Sequence, residues 1–253
     1  MKKLGFFLVL GFVLSACGSA KEGSRAISTC RATLDAMSAL TDGLEVPENF
    51  RSENPVKSGG EFDVMRYFNV LDHLSLQPGY VLDYVYHYDG MGGFPILYVR
   101  TVDTPPFTTE AELTASDGLT SYMDYIQVDD TPDGYFQYVL LSLTANRFYL
   151  FWHAGYSDSQ IVCDKADVGQ IVASLNGDFG YRMTIASRIR AALIKDIEPS
   201  INVNGDSVEV LFVTFTRWGG FFRQSFTISR SFPHAILEEQ EQNLVPYDCG
   251  VMF

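Results

Sequence analysis

An α+β fold built on antiparallel sheet with a few packing helices is what three features of this 253-residue sequence predict. Two long hairpins, YVLDYVYHYDGMGGFPILYVR (80–100) and SVEVLFVTFTRWGGFFRQSFTISR (207–230), alternate in period two around glycine-rich reversals. Segments with apolar residues at helical spacing are few and separated from the hairpins. With 47% hydrophobic and 14% aromatic residues the chain buries a core, so disorder is excluded.

In chain order, 28–40 reads as a short helix and 41–60 as loop, with Pro47, Pro55 and Gly59-Gly60. Ser58 and Glu61 have capping-box spacing, and Phe62, Met65, Phe68, Leu71 and Leu74 follow, so a helix is expected over 61–75, stopped by Pro78-Gly79. Strand 80–88 puts Tyr80, Leu82, Tyr84, Tyr86 and Tyr88 on one face and Val81, Asp83, Val85 and His87 on the other. Residues 94–102 return as its partner, and 103–120 form a polar loop around Pro105-Pro106. Three further strands are expected at 121–128, 135–143 and 147–153, the last two almost continuously apolar.

Asp164 caps a helix over 165–175, with Val168, Ile171, Val172 and Leu175 on one face and Gly177 at its end. A helix over 184–196 is expected to bury Ile185, Ile189, Ala192 and Leu193. After the second hairpin, the tail 234–253 suits either strand or short helix. The order helix, strand, Gly-Gly turn and return strand occurs in 61–101 and again in 184–230. That leaves open two similar lobes, with a boundary near 177 and a binding cleft between them.

The chain opens MKKLGFFLVLGFVLSACGSA: two lysines, an uncharged apolar run from Leu4 to Leu14, then small residues. This is the layout of a secretory signal peptide, and the run falls short of the roughly 20 residues that span a bilayer. Leu14-Ser15-Ala16-Cys17 resembles the lipobox of bacterial lipoproteins. The resemblance implies a signal peptide over 1–16, cleaved before Cys17, with a diacylglyceryl group on the thiol and a fatty acyl chain such as palmitate on the new amino group. Several acyl chains matter, because one alone holds a protein to a bilayer only reversibly. Residues 17–27 would then be the lipidated tether and 28–253 an extracytoplasmic globular domain, on the cell membrane or an outer membrane. The first hairpin also resembles segments of uncharacterised bacterial proteins, which implies no activity.

Acidic residues outnumber basic ones 31 to 18, a net charge of −13, which makes a nucleic-acid partner unfavourable. Besides Cys17 the chain has Cys30, Cys163 and Cys249. In an oxidising compartment two of these three pair, and the sequence leaves open which. No spacing suits a metal site, and no cofactor motif is present.

The tyrosine stripe, with Tyr84, Tyr86 and Tyr88, can serve as a ligand platform or equally as core. Asp83 and His87 share a face but lie roughly 13 Å apart along a strand, so each needs a partner from elsewhere. His153, beside Trp152, is one candidate. Met91 and Phe94 flank one Gly-Gly tip and Trp218 stands at the other; exposed there, they suit contact with a ligand, a partner or a membrane surface. The residues around Asp129-Asp130-Thr131-Pro132-Asp133-Gly134 read as a turn. The sequence thus points to a membrane-anchored envelope protein that binds a small molecule, a glycan or an envelope protein. An envelope hydrolase using Asp83, His87, Asp89 or His153, or a purely structural envelope protein, are the alternatives.

Overall fold

The computed structural model describes residues 24–116, 121–152, 158–175, 177 and 180–250, with the backbone alone at Trp152. The fold is α+β with antiparallel sheets, as the two hairpins require. The first hairpin pairs β3 (Tyr80–Tyr88) with β4 (Gly92–Thr101) in unbroken register, Tyr84 opposite Leu97. The second pairs β9 (Ser207–Thr216) with β10 (Gly220–Ser229). A larger sheet grows around β9 and β10. On one side β8 (Ser200–Asn204) and β7 (Gln160–Val162) share the β9 edge, and β1 (Arg25–Ala26) adds to β8. On the other, β11 (Ile236–Pro246) resolves most of the ambiguous tail as strand.

Glycine has two separate uses at the tips. Gly90 and Gly220 lie at φ +86° and +95°, where only glycine is unstrained. Gly93 is in ordinary extended backbone, yet a Cβ there would stand 2.6 Å from the Tyr86 hydroxyl oxygen. It is required for space.

Helix α1 (Cys30–Thr41) and helix α4 (Lys165–Ser174) match the expected segments, and Asp164 caps the latter by accepting from the amides of Ala166 and Asp167. Four expectations need correction. Residues 61–75 do not form one helix. Asp63 caps a short 3-10 segment over Val64–Asn69, and β2 (Leu74–Leu76) then pairs with β5 (Ile126–Val128). The Glu61 carboxylate turns back on the amides of Ser58 and Gly59, closing the loop before a helix can begin. The loop 103–120 contains a short helix α2 (Glu110–Ala115) with a capping box between Thr109 and Glu112.

The third correction is the largest. Residues 135–143 are not a strand but the body of α3 (Pro132–Thr144), started by the Thr131 hydroxyl accepting from Gly134 N at 3.0 Å with Pro132 in the first turn. Every residue from Gly134 to Leu141 is buried. A helix covered on all sides has no polar stripe, so its sequence cannot be told from a buried strand by periodicity. The flanking strands shrink accordingly: 121–128 becomes a 3-10 turn over Tyr122–Tyr125 followed by β5, and among the described residues 147–152 only β6 (Phe151–Trp152) is strand.

The fourth concerns α5 (Ile185–Ala192). It faces the opposite way to the expected one: Ala191 is buried, with Met183 and Ile194 beside the helix, while Ile185, Ile189 and Leu193 are 79%, 56% and 69% exposed.

One buried cluster includes Leu82, Tyr84 and Tyr86 from the first hairpin, Tyr138 and Leu141 from α3, and Phe212 and Phe226 from the second hairpin, so both hairpins share a core. A second cluster lies under α4 and α5 against Val213, Phe215 and Phe221. Cys30 and Cys163 form a disulfide, and Cys249 is a buried free thiol.

Candidate functional site

The free edge of β3 is covered by residues 57–65 and 106–108, the Lys57 amide donating to the Thr108 carbonyl at 2.8 Å. Between this cover and the hairpin lies a cavity of about 340 Å³, lined by Lys57, Glu61, Asp63, Asp83, Arg100 and Phe107 among others. Asp83 is its centre. One carboxylate oxygen accepts from Lys57 Nζ and from the Tyr84 amide, the other from Arg100 Nε at 3.0 Å. The three charged side chains are 11%, 14% and 19% exposed, with the aspartate most enclosed. Lys57 is fixed further by the Tyr84 ring, 4.1 Å from its nitrogen, and Arg100 by the Thr104 carbonyl at 2.6 Å.

Glu61 stands at the same cavity. Burial works against its charge, but hydrogen bonds from the Ser58 amide and hydroxyl and from Asn49 outweigh it and hold the carboxyl at about 2. Two cations and several carboxylates converging on a partly enclosed space suit recognition of a small polar molecule with groups of both signs. They do not suit acid–base catalysis through Asp83, whose two oxygens are already occupied.

A second polar cleft, of about 510 Å³, opens between β2, β5 and residues 230–234. His73 Nδ1 lies 2.7 Å from Asp129 Oδ2, and its Nε2 is 3.9 Å from Asp72 Oδ1. The ring therefore sits between two carboxylates, and the hydrogen bond to Asp129 pushes its pKa up, against the effect of burial. Arg230 forks onto Asp130 at 2.8 and 2.7 Å across the rim. Asp129 and Thr131 anchor the start of α3, so the turn expected between two strands at 129–134 is instead the cap and first turn of a helix.

The expected site residues separate into three groups. Tyr84 and Tyr86 are 0% and 1% exposed and so are core, not a ligand platform; Tyr86 stacks on Phe50 at 4.4 Å and donates its hydroxyl hydrogen to the Tyr149 carbonyl. The face they share is covered by Phe50, by Phe148 and Tyr149 just beyond α3, and by the 3-10 segment Val64–Asn69. Tyr88 and His87 are half-buried; His87 Nδ1 meets Glu110 Oε2 of α2 at 2.7 Å and packs on Phe94. Asp83 and His87 thus do not meet each other. Met91, Phe94 and Trp218 are exposed at the hairpin tips, at 59%, 37% and 36%. Cys17, His153 and the Trp152 side chain lie outside the described residues.

Sequence reasoning missed Lys57, Arg100 and the His73–Asp129 pair. Arg100 alone carried a signal, being a charged residue in the otherwise apolar strand that pairs with β3, opposite Val81 and diagonal to Asp83.

No family model, no curated protein and no solved structure matches this chain. The functional argument accordingly rests on the chemistry of these sites.

Proposed function

We propose that this chain is a membrane-anchored extracytoplasmic lipoprotein of the bacterial cell envelope, acting as a binding module for a small polar ligand such as a glycan fragment or amino-acid derivative. The targeting half of the reading rests on Leu14-Ser15-Ala16-Cys17. The Cys30–Cys163 disulfide supports it, because such bonds persist in oxidising compartments. The binding half rests on the cavity around Asp83, where Lys57 and Arg100 are held against one carboxylate and face an enclosed space.

The test is mass spectrometry of the full chain recovered from membranes. A denatured mass lacking residues 1–16 and carrying acyl chains at Cys17 supports the anchor; an unmodified Cys17 overturns it. Native spectra test the binding half: added mass that is lost on denaturation and absent from Lys57→Met supports a ligand at this cavity. Retention of the same mass by Lys57→Met would move the ligand elsewhere.

A hydrolase reading retains one specific observation, the His73–Asp129 pair in an open cleft. Turnover of ester or glycoside probes lost in His73→Gln would favour it over the binding module.

A further inference from the structure

Helix α5 turns its apolar side outward. Ile185, Ile189 and Leu193 succeed one another at four-residue spacing and are 79%, 56% and 69% exposed, with Tyr181, 68% exposed, just before them. At about 100° per residue, Arg188 and Arg190 fall on either side of that stripe, and Ala191, which is buried, falls opposite it. From Tyr181 to Lys195 the chain carries Arg182, Arg188, Arg190 and Lys195 and no acid, in a protein whose net charge is −13. Apolar side chains bordered by arginines on an otherwise acidic molecule are complementary to a surface that is apolar within and anionic at its face.

The position of the stripe adds a second argument. Strand β1 lies against β8, Arg25 opposite Ile201, and the Ile27 amide donates to the Pro199 carbonyl at 2.8 Å. The chain arriving from Cys17 therefore joins the body beside the segment that leads out of α5. The residues from Cys17 to Ser24 reach at most about 25 Å when extended. A tether that short gives a weak surface contact a high effective concentration.

We infer that the α5 stripe is a membrane-docking face, which lies on an anionic lipid leaflet with Ile185, Ile189 and Leu193 in the headgroup–acyl boundary and the flanking basic residues on lipid phosphates. The tether argument rests on the lipoprotein reading; the amphipathic and charge arguments do not.

The experiment is hydrogen exchange on the full chain, as recovered from membranes, in vesicles of phosphatidylcholine alone and of phosphatidylcholine with phosphatidylglycerol. Amides of 185–195 are expected to exchange about tenfold more slowly in the anionic vesicles, with the difference removed by molar salt and by the triple variant Ile185→Ser, Ile189→Ser, Leu193→Ser. These positions are exposed, so the variant keeps its fold, checked by unchanged exchange in β9 and β10. Equal exchange in the two vesicle types would overturn the inference. So would protection that rises with protein density whatever the lipid, which would mean that a second copy covers the stripe. The acyl mass at Cys17 is read from the same sample. Its absence refutes the anchor alone, and slowed exchange of that unlipidated chain on anionic vesicles would still support the docking face.

Discussion

Cys30, in the first turn of α1, is joined to Cys163, the residue after β7, across 133 positions of sequence. The bond ties the helix that begins the body to the larger sheet. Arg31, the next residue, pairs with the Asp167 carboxylate, which also accepts from the Cys163 amide at 2.8 Å. The crosslink is thus embedded in a small polar network at the start of α4.

A loop of this length loses much of its unfolded-state entropy when closed, about 5 kcal/mol on the chain-entropy relation, with measured cases usually 2–5 kcal/mol. Cys30→Ala with Cys163→Ala is expected to lower the unfolding free energy by that range. Urea denaturation of the oxidised protein and the double variant checks it; equal midpoints would mean that the bond does not form in solution.

Removing Asp83 leaves Lys57 and Arg100 facing each other, mostly buried, without their carboxylate. Breaking a buried ion pair from one side costs about 3–5 kcal/mol, because the desolvation of the remaining charge is no longer offset. Asp83→Ala is expected at the lower end of that range, since both cations keep carbonyl contacts at Tyr84 and Thr104. Lys57→Met should cost much less, as Arg100 still neutralises the aspartate. Equal losses in the two variants, read by chemical denaturation, would show that Arg100 alone does not neutralise Asp83.

His73 carries a pH dependence of stability with a definite sign. Its hydrogen bond to Asp129 raises its folded pKa above the ordinary value of 6.5. The stabilisation is therefore fully present below about 6.5 and is lost as pH rises through the raised folded value. Urea midpoints of the wild type should fall across that window relative to His73→Gln, and parallel curves would refute the pairing. Proton NMR titration of the ring gives the folded pKa directly.

Gly93→Ala is expected to destabilise by about 1–3 kcal/mol, because the new methyl meets the Tyr86 ring and the ring's hydroxyl is held by the Tyr149 carbonyl. Gly93→Ala combined with Tyr86→Leu should recover part of that loss. No recovery in thermal melts would place the strain in the backbone.

The hairpins and the helices α1 and α4 were legible in the sequence because their signals are local: alternation, glycine at the reversals, Asp164 ahead of an amphipathic run. What failed did so where tertiary context decides. The segment 135–143 is apolar all round, and only its length and Thr131-Pro132 distinguished helix from strand. The stripe in α5 was correctly seen as one face, but periodicity does not say whether a face looks at a core or away from it. The sites follow the same rule. Asp83 and His87 were visible as polar residues in an apolar hairpin, while their partners, Lys57 and Glu110, come from loops and helices 26 and 23 residues distant.

Strand β11 ends the larger sheet with a sequence, ILEEQEQNLVP, whose residues from Ile236 to Asn243 are all exposed. Its pairing with β10 is interrupted by register shifts near both ends, at Phe221/Phe222 and at Thr227/Ile228. A flat, uncharged border would offer its unpaired amides to the same border of another molecule and begin a fibril. Here Glu238, Glu239 and Glu241 repel an identical strand, and the shifts bend the border away from a straight template. Replacing those three glutamates by glutamine removes the repulsion, so strand-by-strand aggregation of that variant should begin from this edge while the fold itself stays intact.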